Sequence, residues 1–138
     1  MGAIFSIGHG HRTLQDILHI MEKFNIELLV DIRSKPFSRW NPQVNRTRLY
    51  EKLGDRYLWL GKELGGLSGE RPPGYKIGLQ KLIELSKTKN ICIMCSELDP
   101  AKCHREQWIA RDLAAMGVKV YHIVGNGEIL SGIQTTLY

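Results

Sequence analysis

The run Ile91-Cys92-Ile93-Met94-Cys95-Ser96-Glu97-Leu98-Asp99-Pro100-Ala101-Lys102-Cys103-His104-Arg105 decides how this chain folds. Its first five residues form a short apolar run, the pattern of a strand covered on both faces. The polar turn after them leads into residues 107–116, where Trp108, Ile109, Leu113 and Met116 fall at helical spacing and Gly117 supplies a stop. A strand that leaves through a polar turn into a helix is the repeating unit of a parallel α/β sheet. Such sheets bind their ligands at that exit.

The same unit recurs on either side. Residues 3–7 read as a strand ending at Gly8, followed by a helix through Leu14, Ile17, Leu18, Met21 and Phe24, with Thr13 as N-cap and Asn25 as stop. Residues 27–32 are a second, nearly all-apolar strand. Pro36 and Pro42 mark a long loop before a short helix at 47–53, and residues 57–60 are a third strand ending at Gly61. A Gly/Pro-rich connection at 65–74 precedes a helix at 77–86, whose buried side is Leu79, Leu82, Ile83 and Leu85. Residues 118–124 are a fifth strand, closed by Gly125-Asn126-Gly127. The expectation is one α/β domain over residues 1–138, a mostly parallel sheet of about five strands with helices on both faces.

Composition narrows the class. At 138 residues and 43% hydrophobic content the chain can bury one core without staples. No apolar run approaches the roughly 20 residues of a membrane span, and no basic stretch precedes an apolar one at the N-terminus, so neither a membrane nor a signal peptide is expected. Met1-Gly2 with Ser6 matches the pattern for N-myristoylation, but these residues fit the first strand better. Three cysteines cannot all pair within the chain, which in the expected cytoplasmic compartment favours reduced thiols, metal ligands or a redox site over a disulfide scaffold. The net charge of +5 reads either as a solvated basic surface or as a match for an anionic partner.

Parallel strands share one C-terminal edge, so the residues after each strand meet there. The exits carry Gly8-His9-Gly10-His11-Arg12, then Asp31-Ile32-Arg33-Ser34-Lys35, then Glu63, then Cys95 and Glu97 with Cys103-His104-Arg105. The opposite turns hold only capping and solvating residues. His9 reads as a turn histidine or, among glycines and Arg12, as a ligand contact. Asp31 inside an apolar strand needs a partner. Paired with Arg33 it is either structural or a proton carrier with a tuned pKa. Arg105, in the first turn of a helix, opposes the macrodipole unless an anion or the carboxylate of Glu97 or Asp99 compensates it.

Cys103, between a helix start and His104-Arg105, has surroundings that lower a thiol pKa and make a nucleophile. Cys92 and Cys95 lie three apart in a strand and face opposite sides, which argues against a shared metal or disulfide, and leaves Cys92 in the core. No three- or four-ligand metal spacing is evident, and no cofactor is expected. Arg33, Lys35, Arg39, Arg46 and Arg48, interleaved with Phe37 and Trp40, suit phosphate contact and base stacking. The alternative is that both aromatics tuck the loop against the sheet.

Three motifs, Ile7-Gly8-His9 with Arg12, Val30-Asp31-Ile32-Arg33-Ser34 with Pro36, Ser38 and Arg39, and Met94-Cys95 with Glu97, Pro100, Cys103, His104 and Arg105, together make the chain similar to the family catalogued as domain of unknown function 488. Gly10-His11 stand where that family more often has Ser-Asn or Ser-Thr. The resemblance implies a compact cytoplasmic α/β domain whose motifs form one site, and it implies no activity. From the residues, two readings stand. One is an enzyme acting on a phosphate-bearing substrate, a nucleotide or nucleic acid. In it Asp31, Glu97, His9 and His104 move protons, Cys103 or Cys95 is the nucleophile, and Arg12, Arg33, Arg39 and Arg105 hold the anion. The other is a non-catalytic anion or nucleic-acid binding module using the same arginines.

Overall fold

The computed structural model describes residues 2–130. Six strands form one sheet in the order β3-β2-β4-β1-β5-β6: β1 Ile4–Gly8, β2 Leu28–Asp31, β3 Tyr57–Trp59, β4 Ile91–Cys95, β5 Val120–Val124 and β6 Glu128–Ile129. All neighbours are parallel except β6, which runs antiparallel to β5. The sheet therefore has one strand more than the sequence suggests. β6 is two exposed residues folded back across a glycine turn, too short to show a period.

Helices cover both faces. α1 (Leu14–Lys23) begins at Thr13, whose hydroxyl accepts from the Asp16 amide while the Asp16 carboxylate accepts from the Thr13 amide. Its stop is Asn25, at a φ of 52°. α1 and α2 (Arg46–Leu53) bury Ile17, Ile20, Met21, Leu49 and Leu53 against Leu29, Cys92, Met94 and Ile123. On the other face lie α3 (Gly61–Leu64) and α4 (Tyr75–Ser86), with a π-helical turn, Arg105–Ala110, that runs on into α5 (Arg111–Ala115). They bury Leu64, Leu79, Leu82, Ile109 and Leu113 against Ile4, Val30, Ile93 and Val120. Cys92 and Cys95 thus belong to opposite faces.

The chain steps from β1 through β2 to β3 by way of the α1 and α2 face, then returns to β4 and crosses to β5 over the other face. A single hand of crossover requires this. The direction reverses between β1 and β4, and a doubly wound sheet opens a crevice at such a point. His9 and Cys95 stand at that point, with the His9 amide donating to the Cys95 carbonyl at 2.8 Å. Gly8 is required here, because a Cβ on it would lie 1.8 Å from the Glu97 carbonyl oxygen. Among the described residues no helix is long and apolar enough to cross a membrane.

Candidate functional site

After Cys95 the chain turns through Ser96–Leu98. The Asp99 carboxylate then caps a 3-10 turn, Pro100–Lys102, by accepting from the Ala101 amide at 3.0 Å. That turn folds the segment back on the strand and sets the Cys103 sulfur 2.8 Å from the Cys95 sulfur. All three cysteines are free. Cys103 also receives the Arg105 amide at 3.4 Å and faces His104 Nδ1 at 3.5 Å.

The two thiols share their protons unequally. Cys95 is pushed up, first by burial and then by its hydrogen bond to Cys103, so it keeps its proton. Cys103 is pulled down to about 4, chiefly by the hydrogen bond from Cys95, with His104, the Arg105 charge and the Arg105 amide adding to it against the cost of burial. These contacts favour the ionised form of Cys103. His104 Nε2 donates to the Leu64 carbonyl at 2.9 Å, which turns Nδ1 toward the Cys103 sulfur at 3.5 Å. Gly66 leaves room for this ring, since a Cβ there would stand 2.7 Å from its Cγ.

Arg105 is 0% exposed and pairs with neither the Glu97 nor the Asp99 carboxylate. Its guanidinium donates to the Cys95 sulfur at 2.8 Å, to the Glu97 and Leu98 carbonyls at 2.6 and 3.0 Å, and to the Ser6 hydroxyl at 3.2 Å. Its charge also favours the ionised form of Cys103. Ser6 in turn hydrogen bonds His122 Nδ1, and His122 Nε2 meets Glu106 Oε1 at 3.1 Å. Arg111 closes the line from the surface by donating to Glu106 Oε2 at 2.9 Å. Ser6, Glu106 and His122 are all buried, and none of the three figures among the sequence candidates. The signal for two of them is a lone polar residue in an apolar strand. The π-helical turn contributes by rotating neighbours less than an α-helix does, so that consecutive Arg105 and Glu106 both face inward.

On the opposite face, Asp31 and Arg33 form a buried ion pair. Asp31 accepts from Arg33 Nε at 2.8 Å, Arg33 Nη2 at 2.7 Å, the Arg33 amide at 3.1 Å and the Tyr57 hydroxyl at 2.6 Å. Its oxygens are saturated, which suits holding Arg33 in place. Arg33 Nη2 also reaches the Val44 carbonyl, while Arg33 Nη1 is buried with no partner among the described residues. The same is true of His9 Nε2. Its other nitrogen meets the Gly10 carbonyl at 3.1 Å and so carries the proton, leaving Nε2 a bare acceptor. Burial, and after it the Arg33 charge, lowers the His9 pKa and keeps the ring neutral.

A cleft of about 620 Å³ runs between Arg33 and the two thiols, lined also by Lys35, Phe37, Glu97, Lys102, His104 and Trp108, while His9 and Asp31 lie outside its lining. Of the four arginines expected to hold an anion, it takes in only Arg33. Arg105 lies beneath it, sealed from solvent. Arg12 ties the Gly8 and Gly125 carbonyls together and lines a separate hollow of about 660 Å³ beside His11 and Asp16, with no thiol in it. Arg39 is exposed outside the cleft. Phe37 and Trp40 do not tuck inward; they are 64% and 91% exposed. Among the described residues there is no group of three or more His, Cys, Asp or Glu side chains that could hold a metal ion.

No curated protein matches this chain. A family profile matches residues 13–76 and 70–111, which include the Asp31-Arg33 pair, the aromatic loop and the whole thiol turn, and which leave Ser6, His9 and His122 outside. On that match the chain belongs to the family described as Domain of unknown function DUF488.

Proposed function

We propose that this protein is a thiolate-dependent enzyme acting on a phosphate-bearing substrate, a nucleotide or nucleic acid, in the cleft above Cys103. The observation that carries this reading is the Cys103 sulfur, held as a thiolate in the lining of a cleft whose exposed rim includes Lys35 and Lys102. Cations there favour an anionic substrate against the single carboxylate of Glu97. Arg33 also lines the cleft, and its charge adds to the pull on a phosphate group. In this reading Cys103 attacks phosphorus, the S–P bond forms, and the ester P–O bond breaks. His104, protonated at Nδ1 in this reading, gives that proton to the departing oxygen. Water then displaces the sulfur, returning one proton to His104 and releasing inorganic phosphate from a monoester or a phosphomonoester from a diester. The free cysteines fit a reducing compartment such as the cytoplasm.

The test is turnover of chromogenic phosphate mono- and diesters by the reduced protein. Wild type is expected to release phosphate, and folded Cys103→Ser to lose at least about 100-fold. Equal activity in the folded Cys103→Ser protein overturns the reading, as does a complete lack of turnover across nucleotide and oligonucleotide esters.

A second reading, nucleic-acid binding without catalysis, rests on the aromatic loop. Ser38 accepts from the Trp40 and Asn41 amides, and Asn45 accepts from the Ser38 amide at 2.6 Å. Asn41 anchors the loop to the Gly10 and Arg12 carbonyls. The outward pose of Phe37 and Trp40 is therefore built into the loop. Salt-dependent binding of single-stranded oligonucleotides by a protein that turns over no ester favours this reading over the first.

A further inference from the structure

We propose that Cys95 and Cys103 form a dithiol oxidised by hydroperoxides, with Cys103 as the attacking sulfur and Cys95 as the resolving one. The two sulfurs are already 2.8 Å apart, and closing to the roughly 2.05 Å of a disulfide is a small movement. They differ in the way such a pair needs, one an activated thiolate and the other a protonated neighbour. Both are nearly covered, which favours a small neutral oxidant over a protein or peptide disulfide. Cys92 is not available to either, since it lies on the far face of the sheet.

The chemistry balances without a cofactor. The Cys103 thiolate attacks one oxygen of hydrogen peroxide, forming S–O and breaking O–O. The hydroxide that leaves takes the Nδ1 proton of His104 and departs as water, and Cys103 becomes a sulfenic acid. Cys95 sulfur then displaces that hydroxyl, which leaves as a second water with the Cys95 proton. The product is the Cys95–Cys103 disulfide, which an external dithiol returns to two thiols.

This inference is independent of the phosphate-ester reading, and one preparation separates them. Reduced full-length protein is treated with one equivalent of hydrogen peroxide at pH 7, unfolded in urea, alkylated with iodoacetamide and mapped by peptide mass. Cys92 is expected to alkylate, with Cys95 and Cys103 joined and released again by dithiothreitol. The disulfide is expected to form in full with one equivalent of oxidant, because the Cys95 sulfur stands 2.8 Å away and resolves the sulfenic acid before a second oxidation. In Cys95→Ser or Cys95→Ala, whichever folds, a dimedone adduct should accumulate on Cys103. The proposal is overturned if both thiols remain alkylatable, if Cys92 enters the disulfide, or if the Cys95–Cys103 disulfide forms in the same yield when the chain is oxidised in urea. A stable glutathione adduct on Cys103 from oxidised glutathione, formed in place of the internal disulfide, also overturns it. A disulfide without ester turnover removes the function proposed above and leaves this inference standing; turnover without a disulfide does the reverse.

Discussion

Ser6 and His122 stand opposite each other in the register of β1 and β5, and their side chains are hydrogen bonded. The bond matters because of what each holds on its other side. Ser6 accepts from the Arg105 guanidinium, so its own proton is free for His122 Nδ1, and His122 Nε2–H is then aimed at Glu106. Burial lowers the His122 pKa, which keeps the ring neutral between a buried cation and a buried carboxylate. The line has one consistent direction of donation from Arg105 to Glu106, and Arg111 anchors its far end at the surface.

Ser6→Ala should therefore cost more than a lost hydroxyl on the surface. It strands Arg105 Nε and His122 Nδ1 together, and an unsatisfied buried polar group costs roughly 1–3 kcal/mol. Urea unfolding of the reduced protein should show a lower midpoint with an unchanged slope. A cost below about 0.5 kcal/mol, the range of an ordinary surface change, would mean the line of hydrogen bonds does not exist in solution.

Arg105 is expected to act on the thiolate as well as on the fold. Arg105→Gln removes both the positive charge beside the dithiol and the clamp on the Glu97 and Leu98 carbonyls. The pH midpoint of Cys103 alkylation should rise, and stability should fall by about 3–5 kcal/mol, as when one partner of a buried charge pair is removed. Arg105→Lys keeps a charge without the planar fork and should recover part of the low midpoint and little of the stability. An alkylation profile unmoved in both variants would sever Arg105 from the thiols.

The fold was legible because each strand and helix carries its own period, and the crossing of helices to two faces follows from parallel connections. The order of strands was not, because nothing local tells β4 to insert between β2 and β1. The meeting of the polar strand exits at one edge of the sheet was legible for the same reason the fold was. Its internal wiring was less so. Arg105 in a helical first turn looks like an anion binder until the turn after β4 is seen to aim two carbonyls at it. Ser6 and His122 are 116 residues apart and become neighbours only through sheet register. Cys95 and Cys103 flank a turn in the sequence, which allows them to approach each other or His104, and the Pro100 turn decides that the two sulfurs meet.

Asp31 and Tyr57 offer a contrast on the opposite face. Tyr57→Phe removes one of several donors to Asp31 and should cost about 1 kcal/mol. Asp31→Asn leaves Arg33 buried without its counter-charge and should cost about 3–5 kcal/mol. Chemical denaturation ranks the two, and Cys103 alkylation should be unchanged in Tyr57→Phe. Equal costs would show that Arg33 finds compensation elsewhere.

Trp40→Ala and Phe37→Ala test whether the aromatic loop serves binding. Both side chains are largely exposed, so stability should stay within about 0.5 kcal/mol of wild type. Affinity for single-stranded oligonucleotides should fall by about 1–3 kcal/mol for each stacked base lost. Fluorescence titration at two salt concentrations measures it. Unchanged affinity in the double variant removes this loop from the binding surface.

The pH dependence of stability follows from the direction of each shift. His9 and His122 are held neutral in the fold, below the ordinary histidine value of about 6.5, so what they contribute is present above that pH and lost on acidification. Cys103, ionised in the fold down to about 4, contributes fully above the ordinary thiol value of about 8.5. That contribution drains away between 8.5 and 4, as the unfolded chain takes up a proton the native state refuses. Cys95 and Cys92 work the other way. Both stay protonated in the fold, Cys92 up to about 12, so their contribution is present below about 8.5 and falls as the unfolded thiols ionise. The urea midpoint of the reduced protein should therefore rise from pH 5 to a maximum near pH 8.5, more steeply below 6.5, and decline beyond it. Cys103→Ser should flatten the climb between 6.5 and 8.5 and leave the acid limb in place. A wild-type midpoint that is level or falling across that interval would show that Cys103 is an ordinary thiol in the folded protein.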